Sequence, residues 1–163
     1  MAIADKFNGS KTSLLVNTTV TADVTTLNTT SANDADVTTI PTNWQVVSKI
    51  IDLGTIQNEA NVIDVPEFGQ DYAGKLIGQL NAGTLDMSVA WNPSDTEHLV
   101  LQAAVTGKSR YTYAIRWDDG GGNFEYVGFN AYVASFGVET TIDDAVKASV
   151  SLAIDGQLYF FDT

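Results

Sequence analysis

Regular alternation of apolar and polar residues predicts β-strands in three segments of the chain, 84–91, 109–117 and 146–154. In these segments every second side chain is apolar, which is the period of a strand with one buried face. The positions between the apolar residues of the first and last segments include Asp86, Ser88, Ser149 and Ser151. We expect these four side chains to lie on sheet faces that are turned away from the core.

One helix is predicted between the first two of these strands, over 95–106. Ser94, followed three residues later by Glu97, has the spacing of a capping box, in which each side chain accepts a hydrogen bond from the other residue's backbone N–H. Gly107 stands where a left-handed C-terminal cap is needed, and Lys108 complements the negative end of the helix. The strand–helix–strand order therefore follows from local pattern alone.

Three further segments are predicted as strands with less regular patterns. Ser13–Val16 and Trp44–Leu53 are each predicted as one strand, the second with apolar residues on both faces. Phe124–Phe136 is predicted as one long strand or two, with a bulge at Gly128 and with one face formed by Phe129, Ala131, Val133 and Ser135. Asp155-Gly156 is predicted as a tight turn before an apolar end at 158–161, which either folds back as an edge strand or docks on a neighbour.

The segment 55–80 has an irregular pattern and is the part of the chain that looks least compact. Pro66 and several glycines interrupt it, and its acidic residues are Glu59, Asp64, Glu67 and Asp71 against one base, Lys75. A loop this long inside a small domain is uncommon, and is usually functional or disordered. The segment is either a mobile acidic loop or an arm that becomes ordered on contact with another molecule.

The threonine-rich segment 17–43 leaves a similar choice open. Threonine favours strands, but the interleaved Asn and Asp residues favour turns. It is either a polar, irregular segment with extended pieces such as Thr19–Leu27, or a polar arm that lies against a neighbouring subunit.

Together these elements predict a mainly β fold with two antiparallel sheets that form a sandwich or an open barrel. One α-helix flanks the sheets at about 95–106, and a long loop or hairpin arm lies at about 55–80. The length of 163 residues fits a single domain, 1–163, with a substantial core.

Composition excludes several classes of function. The chain has no cysteine, which excludes disulfides and thiolate chemistry. No apolar run approaches the length of a membrane span, so no membrane contact is expected. The net charge of −12, from 20 acidic and 8 basic residues, is opposite in sign to that of a nucleic-acid-binding surface.

No residue pattern indicates catalysis, a metal site or a cofactor. His98 is the single histidine and lies inside the predicted helix, where a packed or surface role is commoner than that of a catalytic base. No glycine-rich phosphate loop follows a strand and opens a helix. Acidic pairs for a hydrolase are always available among 20 acids, but no pair is distinguished from the others.

The order of elements over 84–156 resembles that of a known family. A strand ends in the aliphatic-Ala-Trp triplet at 89–91, Pro93 and acidic residues follow, and one short helix leads through Gly107 into an aromatic-rich strand that ends Ile115-Arg116-Trp117. The hairpin at Asp118–Asn123, the run Asn130–Gly137 and the closing strand Val146–Ile154 continue the match. The pattern is similar to the tail tube proteins of long-tailed, non-contractile phages of the lambda type.

This resemblance implies a structural protein of the virion. It implies six copies in a ring, rings stacked into a hollow tube for phage DNA, and an acidic wall that lets DNA pass without specific binding. Glu59, Asp64, Glu67 and Asp71 then belong to an inter-ring arm at 55–80, and Asp86, Ser88, Ser149 and Ser151 are candidates to face the lumen. Residues 1–13 are an N-terminal arm. Because the chain stops at Thr163, no C-terminal immunoglobulin-like domain is expected.

The same resemblance implies the partners and the location. The partners are other copies of the chain, a tail tip or initiator complex, a tape measure protein and a tail terminator. The protein is expected in the virion tail, and in the host cytoplasm during assembly.

A small β-sandwich that binds carbohydrate or another ligand is the alternative. For that function Trp44, Trp91 and Trp117 would have to lie exposed on one flat or grooved face. The alternation of the aromatic residues over 109–117 favours a core face instead.

Overall fold

In the computed structural model, the described residues are 12–18, 44–66, 68–69, 71–118, 124–140 and 145–161. They form a mainly β fold with two antiparallel sheets and one helix, which confirms the predicted fold class. The elements in chain order are β1 (Ser13–Asn17), β2 (Trp44–Val46), β3 (Ile50–Leu53), β4 (Glu59–Val65), β5 (Gly74–Asn81), β6 (Thr84–Ala90), α1 (Thr96–Gly107), β7 (Arg110–Asp118), β8 (Phe124–Glu139) and β9 (Lys147–Phe161). Among the described residues, no helix is long and apolar enough to span a membrane.

The larger sheet has seven strands in the order β2-β1-β7-β8-β9-β6-β3, and it curls over on itself. In a flat sheet the two edge strands would lie about 29 Å apart, at about 4.8 Å per strand. Yet β2 and β3 are joined by residues 47–49 alone, which span at most about 14 Å. The sheet must therefore bring its two edges together, and it forms an open, sandwich-like fold rather than a closed barrel.

The short crossing between β2 and β3 corrects the prediction of one strand over Trp44–Leu53. Lys49 has a left-handed backbone, with φ of 58°, and this interrupts the extended chain between the two strands. Val47 N donates to Leu14 O at 2.8 Å on one sheet edge, and Ala90 N donates to Lys49 O at 2.9 Å on the other. The prediction was wrong because the residues after Val46 bridge two sheet edges and do not continue one strand.

The N-terminal end of α1 holds this crossing in place. Asp95 accepts hydrogen bonds from Ser48 Oγ and Lys49 Nζ, both at 2.9 Å, and from Asn92 Nδ2 at 2.8 Å. The donors on Lys49 and Ser48 lower the pKa of the Asp95 carboxyl group. These contacts stabilise the left-handed conformation of Lys49, which costs about 1–2 kcal/mol for a residue other than glycine.

Both predicted helix caps are displaced in the structure. The N-cap is Asp95 and makes no side-chain capping bond, while Ser94 N donates to Asn92 Oδ1 at 3.1 Å, so the capping box of Ser94 and Glu97 is not formed. At the other end Lys108, not Gly107, adopts the left-handed conformation, with φ of 50°. The tertiary contacts of Asp95 and the start of β7 at Arg110 decide these ends, and local capping preferences do not.

The C-terminal end of the chain continues β9 and pairs with β8. Asp155-Gly156 is therefore not a tight turn between elements, which corrects that prediction. Gly128 pairs with Tyr159 and Asn130 pairs with Asp155, so three residues of β9 lie opposite one residue of β8. Strand β9 thus carries two extra residues in this irregularity, where Gly156 has a φ of 92°. The bulge predicted at Gly128 thus has its extra residues on the partner strand. The apolar end is an edge strand against β8, as one of the two predicted alternatives had it, but it continues β9 and does not fold back.

The core lies between the two halves of the curled sheet and α1. The alternating apolar residues of β6, β7 and β9 all contribute to it, as predicted. Its fully buried large side chains are Leu14, Val16, Leu85, Val89, Leu101, Tyr113, Ile115, Phe129 and Leu152.

A second, smaller cluster is buried on the outer face of the sheet. It consists of Leu15, Trp44, Ala114 and Tyr126. Strands β1 and β7 are consequently buried on both faces, which the alternation over 109–117 did not predict.

Removing the Tyr113 hydroxyl is expected to stabilise the fold by about 1 kcal/mol. The Tyr113 ring is fully buried and stacks on Phe129 at a centroid distance of 5.8 Å, but its hydroxyl has no hydrogen-bond partner in the described part of the chain. Urea unfolding of Tyr113→Phe at neutral pH measures the effect. Tyr111→Phe, on the same strand and only partly buried, is the matched control. A destabilised Tyr113→Phe would contradict the argument.

The same comparison should depend on pH in a defined direction. Burial raises the pKa of the Tyr113 phenol, and Tyr111 adds to the shift. Above about pH 10 the unfolded chain releases this proton while the folded chain still holds it. The free energy of unfolding of the wild type is therefore unaffected by this group below about pH 10 and falls as the pH rises further. The stability gap between Tyr113→Phe and the wild type should widen above pH 10.

Candidate assembly surfaces: a polar sheet face and an exposed hairpin

The four residues predicted to face a lumen lie together on one sheet face. Residues directly opposite each other in antiparallel strands share a face, and Asp86 of β6 lies opposite Ser151 of β9, as Ser88 lies opposite Ser149. Ser151 Oγ donates a hydrogen bond to Asp86 Oδ1 at 2.5 Å. The alternate residues of both strands are buried in the core, so this polar cluster points outward.

Neighbouring strands extend the cluster on both sides. Asp52 of β3 lies opposite Ser88, and Ser135 and Gly137 of β8 lie opposite Ser151 and Ser149. We call the resulting surface the polar face, and it consists of Asp52, Asp86, Ser88, Ser135, Gly137, Ser149 and Ser151. It spans four strands in the order β3-β6-β9-β8, its side chains are small, and two of them are carboxylates. The next row of the same face holds Lys147 of β9 opposite Glu139 of β8.

Ser135 was predicted on the wrong face. Its alternation with Phe129, Ala131 and Val133 placed it towards the core, but the pairing with β9 shifts by one residue between Val133 and Ser135. The extra residue, Ala134, turns Ser135 outward and returns Phe136 to the core. The apolar pair Val133 and Phe136, spaced by three residues, was the signal of this bulge in the sequence.

Two strand edges without partners bound the polar face in the described part of the chain. Strand β7 begins at Arg110, opposite Tyr132, so residues 133–139 of β8 pair with β9 only. On the other side β3 pairs with β6 only. Exposed backbone N–H and C=O groups on such edges are ready to pair with another strand.

The predicted arm is a two-stranded antiparallel hairpin of β4 and β5, which we call the hairpin. Glu59 lies at its base opposite Asn81, and Asp71 is exposed between the two strands. Asp64 and Lys75 face each other and form an ion pair at 2.5 Å, but both side chains are about two thirds exposed, so the pair contributes little to stability. Glu67 lies outside the described residues. The ordering of this segment on assembly stays a prediction.

The hairpin exposes more large apolar side chains than any other element in the described part of the chain. These are Val62, Ile63, Phe68, Tyr72, Leu76, Ile77 and Leu80. An isolated two-stranded hairpin is at best marginally stable in water, and apolar exposure of this extent marks an interaction surface.

The three tryptophans do not form an exposed binding face. Trp44 is buried in the outer cluster, whereas Trp91 and Trp117 are partly buried and pack against the main core on the other side of the sheet. The flat aromatic surface that a carbohydrate-binding module needs is therefore not built from these residues.

His98 has a structural role. It is fully buried, its Nδ1 accepts a hydrogen bond from Asn92 N at 3.2 Å, and its Nε2 lies 3.0 Å from Ser48 O. Both ring nitrogens are thus engaged with backbone groups. Within the described ranges, no group of three or more His, Asp or Glu side chains is placed to hold a metal ion.

A comparison with models of protein families identifies the family of the chain. The family model described as "Lambda phage tail tube protein, TTP" matches residues 15–160, which is most of the chain. The chain belongs to the lambda phage tail tube protein family. It is therefore a structural tail tube subunit of a phage virion and not an enzyme, as the resemblance over 84–156 implied. A search of curated protein sequences gave no match.

Several solved structures share the fold. The chain is similar to a chain of the SPP1 tail tube solved by solid-state NMR and cryo-EM, with a TM-score of 0.65 and 11% identity over 97% of this chain and 80% of that one. A chain of the anti-feeding prophage baseplate gives a TM-score of 0.64 and 13% identity, over 91% of this chain and 92% of that one. A chain of the native gene transfer agent particle gives a TM-score of 0.62 and 12% identity, over 96% of this chain and 99% of that one. At these identities the likeness concerns the fold alone.

Proposed function

We propose that this tail tube protein forms rings of six copies and that the rings stack into a hollow tube for the passage of phage DNA. The observation that carries the proposal is the polar face, which spans four strands and ends on each side at a strand edge without a partner in the described chain. Repeated around a ring, such a surface makes a continuous wall.

In the proposed ring, residues 133–139 of β8 in one copy pair with β3 of the next copy. Main-chain hydrogen bonds would then cover both open edges, which otherwise invite uncontrolled aggregation. Two different edges of the same chain make a heterologous contact, and a heterologous contact repeated about an axis closes into a ring. The exposed side chain of Ile51 on β3 lies at this proposed contact.

The chemistry of the polar face suits a lumen for DNA. Serine and glycine offer no large side chain to obstruct a duplex, and the two carboxylates of Asp52 and Asp86 repel phosphates. Lys147, on the row next to these residues, lies opposite Glu139, and this carboxylate offsets the attraction of the lysine for the DNA backbone. Asp86, Ser88, Ser149 and Ser151 are therefore proposed to face the lumen.

The hairpin is proposed as the inter-ring arm. Glu59, Asp64, Glu67 and Asp71 would then lie at the contact between rings, and the exposed apolar residues of the hairpin would be covered there. Residues 1–13 are proposed as an N-terminal arm, and the segment 17–43 as a polar arm that lies against a neighbouring subunit. Residues 1–11 and 19–43 lie outside the described residues. The remaining proposed partners are a tail tip or initiator complex, a tape measure protein and a tail terminator, and assembly would take place in the host cytoplasm.

Tube formation and labelling from inside the tube test this proposal together. Negative-stain electron microscopy of the purified chain over a concentration series should show hollow tubes built from six-fold rings. Because the chain has no cysteine, Ser149→Cys on the polar face and Gln102→Cys on the exposed side of α1 each provide a single reactive thiol. A small maleimide should label both in tubes, whereas a maleimide on a long polymer should label only Gln102→Cys.

Two results would argue against the proposal. If the polymer reagent labels Ser149→Cys in tubes as fast as in monomers, the polar face does not line the lumen. If the chain stays monomeric over the whole series and residues 55–80 resist protease, it is not a subunit that is completed by its neighbours.

A further inference from the structure

The hairpin is apolar on both of its faces. Val62 lies opposite Ile77, and the next pair along the strands, Ile63 opposite Leu76, points to the other face because successive residues of a strand alternate. The side chains of the first pair are 50% and 68% exposed, and those of the second pair are 48% and 59% exposed. Neither face is therefore covered by the other residues that the structure describes.

The two faces differ in relief and charge. The first face, which we call the charged face, continues from Val62 and Ile77 to the ion pair of Asp64 and Lys75. The second face, which we call the smooth face, carries Gly74 opposite Val65, and Gly78 next to Ile63 and Asn61. A β-carbon at Gly78 would come within 3.1 Å of Asn61 O, which is tighter than an ordinary van der Waals contact. With glycine at this position, no side chain projects from this part of the smooth face. Two chemically different faces fit two different surfaces.

The exposed apolar area of the hairpin is that of a protein interface. An aromatic side chain such as Phe68 or Tyr72 can bury about 150–250 Å², so with five aliphatic side chains the hairpin offers on the order of 1,000 Å². The largest apolar patch on a typical monomer is about 300–600 Å². A standard interface buries about 800 Å² per partner. The hairpin thus carries enough area for a full interface, divided between opposite faces.

We propose that the hairpin inserts between two other copies of this chain, with its charged face on one copy and its smooth face on the other. This inference rests on the proposed function, which supplies further copies in the adjoining ring. A sheet that is apolar on one face needs one covering surface, and a sheet that is apolar on both needs two. Each hairpin would then bridge the seam between two neighbouring subunits, so that the contact between rings also strengthens the contact within a ring.

Crosslinking from the two faces tests the inference in assembled tubes. A photoreactive phenylalanine analogue is placed at Leu76 or at Ile77, two adjacent positions that point to opposite faces. Each variant should crosslink to a second copy in tubes but not as a dilute monomer, and the two positions should attach to different peptides of the chain. A variant with both positions replaced should give crosslinked trimers.

Lysine substitutions provide an independent measurement. Leu76→Lys and Ile77→Lys should each raise the concentration needed for tube formation by about tenfold or more, because an unpaired ammonium group is costly to bury. Neither should change the melting temperature of the monomer, since both side chains are exposed in it.

The outcomes separate this inference from the proposed function. Tubes in which both positions crosslink to the same peptide, or in which only one lysine variant is impaired, would overturn the two-sided insertion and leave the tube subunit intact. Failure of the wild-type chain to form tubes would count against the proposed function itself.

Discussion

A chain in which residues 59–81 are replaced by a short glycine linker should fold as a monomer and fail to form tubes. Glu59 and Asn81 are paired across the base of the hairpin, so their Cα atoms lie about 5 Å apart and a few glycines can join residues 58 and 82. The strands of the hairpin pair with each other and with no strand of the seven-stranded sheet. We therefore expect the free energy of unfolding of the monomer to change by less than about 1 kcal/mol.

Circular dichroism, urea unfolding and electron microscopy measure the two parts of this result separately. Gln102→Ala on the exposed side of α1 is the control, because it changes an exposed side chain and leaves the whole hairpin intact. This variant should still form tubes. Normal tubes from the shortened chain would show that the hairpin is not the inter-ring arm.

Replacing His98 with alanine should destabilise the fold by about 3–5 kcal/mol, as removal of a large buried side chain commonly does. The His98 ring is fully buried and stacks on Trp91 at 5.7 Å. Its loss would also leave Asn92 N–H and Ser48 C=O without their partner, and each unsatisfied buried group adds to the cost. Because Ser48 lies in the crossing between the sheet edges, we expect β3 to lose hydrogen-exchange protection first.

Urea unfolding measures the loss of stability, and Leu99→Ala is the control on the same helix. Leu99 follows His98 directly but is 44% exposed, so its replacement should cost less than about 1 kcal/mol. A His98→Ala variant as stable as the Leu99→Ala control would show that the ring does not hold the crossing.

The strands and the helix were largely predictable because their signals are local. The alternation over 84–91 and 146–154 placed Leu85, Val89, Val150 and Leu152 in the core, and the structure buries all four. The same alternation placed Asp86, Ser88, Ser149 and Ser151 on an outward face. A period of two residues decides which side chains share a face, and it needs no knowledge of the neighbouring strands.

The assembly surfaces depended on pairing between distant segments. Asp52, Asp86 and Ser135 meet on one face because β3, β6 and β8 are brought to neighbouring positions through β9. The alternation of a single strand does not contain the register of its partners, so the bulge that turns Ser135 outward was missed. The hairpin was predicted only as one of two alternatives, because glycines and acidic residues obscured its strand pattern.

The sequence by itself determined which segments are extended, which one is helical, and which side of each regular strand is apolar. Only the tertiary structure decided that Lys49 has a left-handed backbone, that His98 is buried against backbone groups, and that the two sheet edges meet at residues 47–49. The physical reason is the range of the interactions. Hydrophobic periodicity acts over a few residues, whereas the conformation of Lys49, the burial of His98 and the polar face depend on hydrogen bonds between residues 46 to 65 positions apart.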